Sequence, residues 1–170
     1  MKAAGGLLKL AVLVAAVLAL GFCLRRWVVG TVRVAGVSMQ QTLMADDVAL
    51  ITRFDYRADR RPQRGDVVQC TFPGRSDTYI KRVIGLPGEA IRFSEGTLTV
   101  DGVPVEEPYV STLTGDYRIR LGEGEYLLLG DNRAESYDSR MPDMGPVRAD
   151  AFLGRVRCVI WPPGRMGTVQ

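Results

Sequence analysis

Histidine is absent from the chain, which rules out a Ser-His-Asp triad, a Cys-His dyad and any zinc site built on imidazole. Cysteine is scarce. Cys23, Cys70 and Cys158 show no Cys-x-x-Cys spacing, so a thiolate metal site is not expected either. Cys70 and Cys158 could pair in an oxidising compartment, but two unpaired, half-buried thiols are the plainer expectation, since free cysteine is usually buried. An excess of one charge is also lacking. The net charge is only +3 and no Lys/Arg-rich tract carries interleaved aromatics, so nucleic acid is not an expected partner. No pattern calls for a metal or an organic cofactor. Internal repeats and low-complexity tails are missing as well, and 170 residues suffice for one domain with a real core and little more.

What is present begins with an apolar run. Leu10 to Leu24 carries no charge and no proline, and Lys9 can snorkel, so Gly5 to Leu24 is usable as one helix. Such a helix reaches roughly 30 Å, about one hydrocarbon core. Arg25, Arg26 and Trp27 follow at once and suit a headgroup layer. A cleavable signal peptide is the competing reading. The run is long for that, and the residues after it are bulky and charged where a cleavage site needs small ones. The expectation is an uncleaved anchor over residues 1–28 and a second unit over 29–170. Lys2 and Lys9 stand against Arg25, Arg26 and Arg33, so the positive-inside rule does not choose an orientation.

Beyond the anchor the pattern is one of short strands. Thr31 to Val34, Asp47 to Arg53, Asp66 to Phe72, Tyr79 to Ile84, Ala90 to Phe93, Tyr126 to Leu129 and Phe152 to Trp161 are apolar or alternating. Asp101-Gly102 inside Thr97 to Val105 predicts a hairpin turn, and Pro73-Gly74 and Pro87-Gly88 mark two more turns. No convincing amphipathic helix follows residue 30. The expected fold is all-β, a barrel-like antiparallel domain or a sandwich behind one N-terminal transmembrane helix. The segment Arg53 to Arg64 carries five arginines against Asp55 and Asp59; it reads equally as a contact for anionic lipid and as a solvated loop.

Three clusters carry chemistry. Gly36-Val37-Ser38-Met39-Gln40-Gln41-Thr42-Leu43 sets a serine in a turn after a strand, where its own N–H can face an oxyanion. Most Gly-x-Ser turns are only turns. Tyr79-Ile80-Lys81-Arg82-Val83-Ile84 holds a lysine in an apolar strand, so either Lys81 or Arg82 must point inward. Lysine is the one of the two that can lose its proton when buried; a lysine snorkelling from an edge strand is the blander reading. Gly130-Asp131-Asn132-Arg133-Ala134-Glu135-Ser136-Tyr137-Asp138-Ser139-Arg140 packs hydroxyls and charges into one loop. There Ser136 could orient an amine and Asp138 could pair with Arg140; a polar surface loop is the alternative. A serine hydrolase without histidine needs another base, and a desolvated lysine amine is the available one.

Together these segments resemble the type I signal peptidase family. Its boxes match in order: an N-terminal anchor, Ser38-Met39-x-x-Thr42-Leu43, Arg64-Gly65-Asp66-Val67-Val68, Tyr79 to Gly88 and Gly130 to Arg140. The short distance from Lys81 to Gly130 is similar to that of the compact bacterial members. The resemblance implies a serine endopeptidase that removes signal peptides from exported preproteins. Ser38 would be nucleophile and oxyanion donor and Lys81 general base. Ser136 would orient Lys81, with Asp138 and Arg140 bracing the loop. Gly36 stands where some members carry a second oxyanion donor. Gly36, Val37, Tyr79 and Ile80 would line the sites for small side chains of an extended peptide. The resemblance also implies a single-pass protein of the cytoplasmic membrane, in contact with lipid, with its catalytic domain on the outer face. The chain departs from the family pattern at Gln41, where proline is usual. The expectation is that Gln41→Pro preserves or modestly raises activity in an active enzyme, and raises stability by about 0.4–1 kcal/mol where the native φ is compatible. A silent peptide-binding relative and a maturation peptidase dedicated to one substrate are the alternatives.

Overall fold

The computed structural model describes residues 2–56 and 61–170, with side chains in the N-terminal helix described for Gly6 and from Lys9 to Phe22. The centre of the segment Arg53 to Arg64 therefore lies outside the described residues, as do the side chains of Cys23, Arg25, Arg26 and Trp27. The helix α1 (Lys2–Trp27) runs for 26 residues. Among the described residues no helix is long and apolar enough to cross a membrane. The continuous described face from Lys9 to Phe22 amounts to about 21 Å of helix, short of one hydrocarbon core. The described part of α1 thus falls short of the expected transmembrane span.

The remainder is mostly β. Strands β1 (Val29–Arg33), β2 (Val48–Thr52), β3 (Val67–Cys70), β4 (Tyr79–Gly85), β9 (Glu125–Leu129), β10 (Val147–Arg148), β11 (Phe152–Trp161) and β12 (Gly167–Thr168) form one antiparallel sheet. Its order is β1-β2-β11-β3-β4-β9-β10, with β12 beside β11. Register shifts in β11 between Phe152 and Gly154, Val156 and Cys158, and Val159 and Trp161 bend that strand as bulges do, and the sheet curls around it. It stays open between β1 and the start of β4.

A second sheet, β7-β6-β5-β8, comprises β5 (Ala90–Ser94), β6 (Thr97–Val100), β7 (Val103–Val105) and β8 (Tyr117–Arg120). Asp101 and Gly102 both take positive φ, as a two-residue hairpin requires, and so do Glu95 and Gly96 at the turn between β5 and β6. Ile91, Phe93, Leu98 and Val100 of this sheet bury against Ile84, Leu127 and Leu129 of the first. Strand β4 is consequently covered on both faces. That changes one expectation: Lys81 and Arg82 are both buried, at 2% and 1% exposure, rather than one in and one out. Cys70 is buried, Cys158 is partly buried, and both thiols are free.

Candidate active site

The turn after β1 is held by two apolar plugs. Met39 and Leu43 are buried in the core beside Val34, Ala49 and Ile51. Leu43 N–H closes one turn onto Met39 O at 2.8 Å, and Gln40 N–H closes another onto Val37 O at 3.0 Å. With both neighbours anchored, Ser38 stays half-buried and its hydroxyl faces β4. Lys81 Nζ donates to Ser38 Oγ at 2.7 Å. Among the described residues Ser38 N–H has no acceptor and remains free for a developing negative charge.

Lys81 sits opposite Val68 in the β3–β4 ladder. Burial pushes its pKa below the ordinary lysine value, and the Asp138 carboxylate only partly opposes this. The neighbouring Cys70 thiol is itself pushed up to about 12 by burial, so it is a neutral, apolar part of the same wall. A 2.7 Å contact between a hydroxyl and an amine biased towards its neutral form is the geometry a general base needs.

The loop 130–140 closes the back of this pair. Asn132 N–H donates to Ser38 O at 3.0 Å and Asn132 Nδ2 to Val37 O at 3.2 Å, tying the loop to the Ser38 turn. Asp138 is fully buried. It accepts from Gly130 N–H at 3.1 Å and pairs with Arg140 through Nε and Nη2 at 2.8 and 2.9 Å. Burial alone would raise its pKa; the Arg140 bonds and charge outweigh that and hold the carboxyl below its usual range. Ser136 is buried too; its Oγ approaches the Asp138 carboxylate and helps hold that pKa down, but forms no hydrogen bond of good geometry among the described residues. The bond from Ser136 to Lys81 that the resemblance implies is therefore not formed here.

Several residues that motif reading left without a role hold the two halves together. Arg82 pairs with Asp131 through Nε and Nη2 at 2.8 and 2.7 Å, with both side chains sealed from solvent. Thr42 donates to the same carboxylate, and Arg82 Nη1 donates to Gly65 O at 2.9 Å. One ion pair thus joins the Ser38 turn, the Arg64 to Val68 segment, the Lys81 strand and the 130–140 loop. The available signal was an arginine next to a lysine in an apolar strand, since a buried guanidinium demands a buried acid.

A cleft of about 280 Å³ opens between the end of β1 and the start of β4. Gly36, Ser38, Tyr79, Ile80 and Lys81 are among its lining residues. Val37 is not; it is 47% exposed. Val34 N–H donates to Asp47 O on the β2 side, so strand alternation turns the backbone groups of Arg33 and Ala35 towards the cleft. On the other wall, Val83 exchanges backbone bonds with Asp66 and Gly65 on the β3 side, which turns Thr78 and Ile80 the opposite way. Both walls offer unpaired strand edges.

Gln41 corrects an expectation. Its φ is +98°, whereas proline is fixed near −65°. Proline cannot replace it in this turn without rebuilding the turn. Gln41→Pro should lower stability by more than about 1 kcal/mol, and Gln41→Gly should raise it, because glycine takes positive φ at little cost. Chemical denaturation of the two variants checks this, and a stabilised Gln41→Pro would contradict the backbone described.

Comparison with known proteins agrees with this architecture. Residues 7–161 match the family model described as "Signal peptidase, peptidase S26". The chain is 35% identical over 161 residues to probable signal peptidase I-2 of Synechocystis, covering 90% of this chain and 72% of that protein. It is 33% identical over 162 residues to signal peptidase I of Leptolyngbya laminosa, covering 89% and 77%. The crystal structure of a signal peptidase I from Enterococcus faecalis superposes with a TM-score of 0.51 at 32% identity, over 58% of this chain and 98% of that one. The chain belongs to the signal peptidase family, peptidase S26.

Proposed function

We propose that this chain is a serine endopeptidase that removes signal peptides from exported preproteins, with Ser38 as nucleophile and Lys81 as base. The observation that carries the reading is the 2.7 Å contact between Lys81 Nζ and Ser38 Oγ inside a wall that disfavours the lysine charge. An extended peptide entering the cleft would pair with the free edges at Arg33 and Ala35 on one side and Thr78 and Ile80 on the other. Ser38 Oγ then attacks the scissile carbonyl carbon while its proton passes to Lys81 Nζ. The oxyanion faces Ser38 N–H. Collapse breaks the C–N bond, and Lys81 returns the proton to the leaving amine. Water, activated by the same amine, hydrolyses the acyl-enzyme. The test is cleavage of a preprotein with an Ala-x-Ala site by the detergent-solubilised chain, with the product's new amino terminus sequenced. Cleavage at that site, lost in Ser38→Ala, is expected. Binding without cleavage would favour the silent relative.

Ser136 acts on Lys81 in this reading by rotating its free hydroxyl towards the amine. Ser136→Ala should slow turnover roughly ten- to hundredfold, the worth of one orienting hydrogen bond of about 1–3 kcal/mol. It should change the melting temperature little, because the hydroxyl makes no hydrogen bond of good geometry, only an approach to the Asp138 carboxylate. Complete loss equal to that of Ser38→Ala would mean the roles are misassigned.

The helix α1 serves as a single membrane anchor, with the β-rich part from residue 29 onward on the outer face. The support is its described apolar side chains. Leu10, Val12, Leu13, Val14, Val17, Leu18, Leu20 and Phe22 are 49–71% exposed and occupy all sides of the helix, which water would penalise and lipid would not. Protease added to intact spheroplasts should degrade the region after Trp27; full protection would reverse the topology.

A further inference from the structure

The segment after β7, residues 106–114, belongs to none of the five boxes, yet it grips the machinery twice. Glu107 pairs with Arg133, its Oε1 accepting from Nη2 at 2.6 Å and its Oε2 from Nη1 at 3.0 Å. The two side chains are 9% and 1% exposed. Thr114 Oγ1 accepts from the same guanidinium at 2.9 Å, and the Phe93 ring lies 5.3 Å beneath it. Two residues on, Tyr109 donates its hydroxyl to Glu107 at 3.1 Å and lays its ring 3.8 Å from the Arg82 guanidinium carbon.

Both cations gripped in this way lead directly to the reacting groups. Arg133 Nε donates to Gly130 O at 3.0 Å, and Arg133 O accepts from Arg140 Nη2 at 2.8 Å; Arg140 in turn holds Asp138. Arg133 therefore fixes both ends of the arc that carries Ser136 and backs Ser38. Arg82 adjoins Lys81 in β4 and holds Asp131. An arginine needs no buried carboxylate merely to brace a loop, because main-chain acceptors suffice. Burying the Glu107 charge with it commits the loop to one position, since losing the partner strands a guanidinium out of water.

We infer that Glu107 is a positioning residue for the Ser38–Lys81 reaction, acting through Arg133 on the 130–140 loop. By this means the second sheet sets the geometry of a site it does not touch. The inference rests on the functional reading above. Glu107 does not line the cleft, so substrate binding should be spared while the chemical step suffers.

The experiment compares the full chain, Glu107→Gln, Arg133→Met and the double variant in detergent. Active sites are titrated with a reagent that acylates Ser38, so that turnover is read per folded site. Glu107→Gln should lower kcat about ten- to hundredfold with KM changed less than about threefold. It should also shift the alkaline-rising limb of the pH–rate profile, because a displaced loop changes the surroundings of Lys81. Adding Glu107→Gln to Arg133→Met should lower kcat less than about threefold further, since its lever is already gone. Should Glu107→Gln give too few titratable sites, Glu107→Asp, which keeps the charge but shortens the reach, is read in the same way. Unchanged kcat per site and an unchanged pH limb, whatever the loss of melting temperature, would reduce Glu107 to a structural residue and overturn the inference. Additive losses in the double variant would overturn it too. Absence of Ser38-dependent cleavage by the unsubstituted chain would instead overturn the functional reading, and the inference with it.

Discussion

Lys81→Met is expected to abolish cleavage while leaving the folded protein as stable as before or more so. Lys81 is 2% exposed, and burial depresses its pKa. The unfolded chain therefore holds that proton more tightly than the folded one. By linkage, the folded state is penalised at every pH below the ordinary lysine value. The penalty is full once the pH lies below the depressed folded pKa, and it fades as the pH climbs towards about 10.4. Methionine fills nearly the same volume without the charge. The stability gained by Lys81→Met should therefore be largest at low pH and vanish towards pH 10, as measured by denaturant titration across that range. Lys81→Arg should be equally inactive, because guanidinium stays charged, and clearly less stable than Lys81→Met. Activity should drop by at least about a thousandfold in both, on the scale of losing the proposed general base together with its hydrogen bond to Ser38. The native pH–rate profile should rise through an apparent pKa below that of free lysine. Substantial turnover by Lys81→Arg would put the base elsewhere.

The strands that carry this pair were readable because their patterns are strong. Tyr79 to Ile84 and Phe152 to Trp161 are apolar runs between turn signals, and both are strands at nearly those bounds. Strand β8 went unread because Tyr117 to Arg120 is only four residues of alternation, with Arg118 and Arg120 outward. The inward-or-outward choice posed for Lys81 and Arg82 failed for a different reason. Alternation decides burial only when one face of a sheet meets water, and β4 is covered on both faces by a second sheet that local pattern does not announce. Long-range electrostatics were equally out of reach. Thr42, Arg82 and Asp131 meet across separations of 40 to 89 residues, and nothing in their local sequence names a partner. Gln41 is the sharper lesson. A family pattern suggests which residue usually stands there, but the backbone of this chain takes φ +98°, and the substitution that looked harmless is the one it cannot accept.

Gly130→Ala should be among the most damaging single-methyl additions available in this protein. A Cβ at Gly130 would overlap Ser38 O, which is backbone, and the Ser136 side chain at both Oγ and Cβ. Backbone cannot rotate away as a flexible side-chain tip does, so the two segments must part. Gly130 N–H also donates to Asp138, and Gly130 O accepts from Arg133, so a shift at this residue pulls on both ends of the loop. Forced overpacking of this kind typically costs about 1–3 kcal/mol. The cost to chemistry should be larger than that to folding. Separating Ser38 from the loop by even about 1 Å would spoil the alignment of the proposed nucleophile and base, which is worth on the order of a hundredfold. Alanine at this position should therefore yield a protein that still unfolds cooperatively, at a lower denaturant midpoint, yet turns over at about 1% of the native rate or less per folded site. Adding Ser136→Gly to Gly130→Ala removes one of the two overlaps. It should restore part of the stability but little of the activity, because the Ser38 carbonyl still blocks the methyl. Near-native turnover in Gly130→Ala alone would mean that the loop does not rest against the Ser38 turn as tightly as the contact at Ser38 requires.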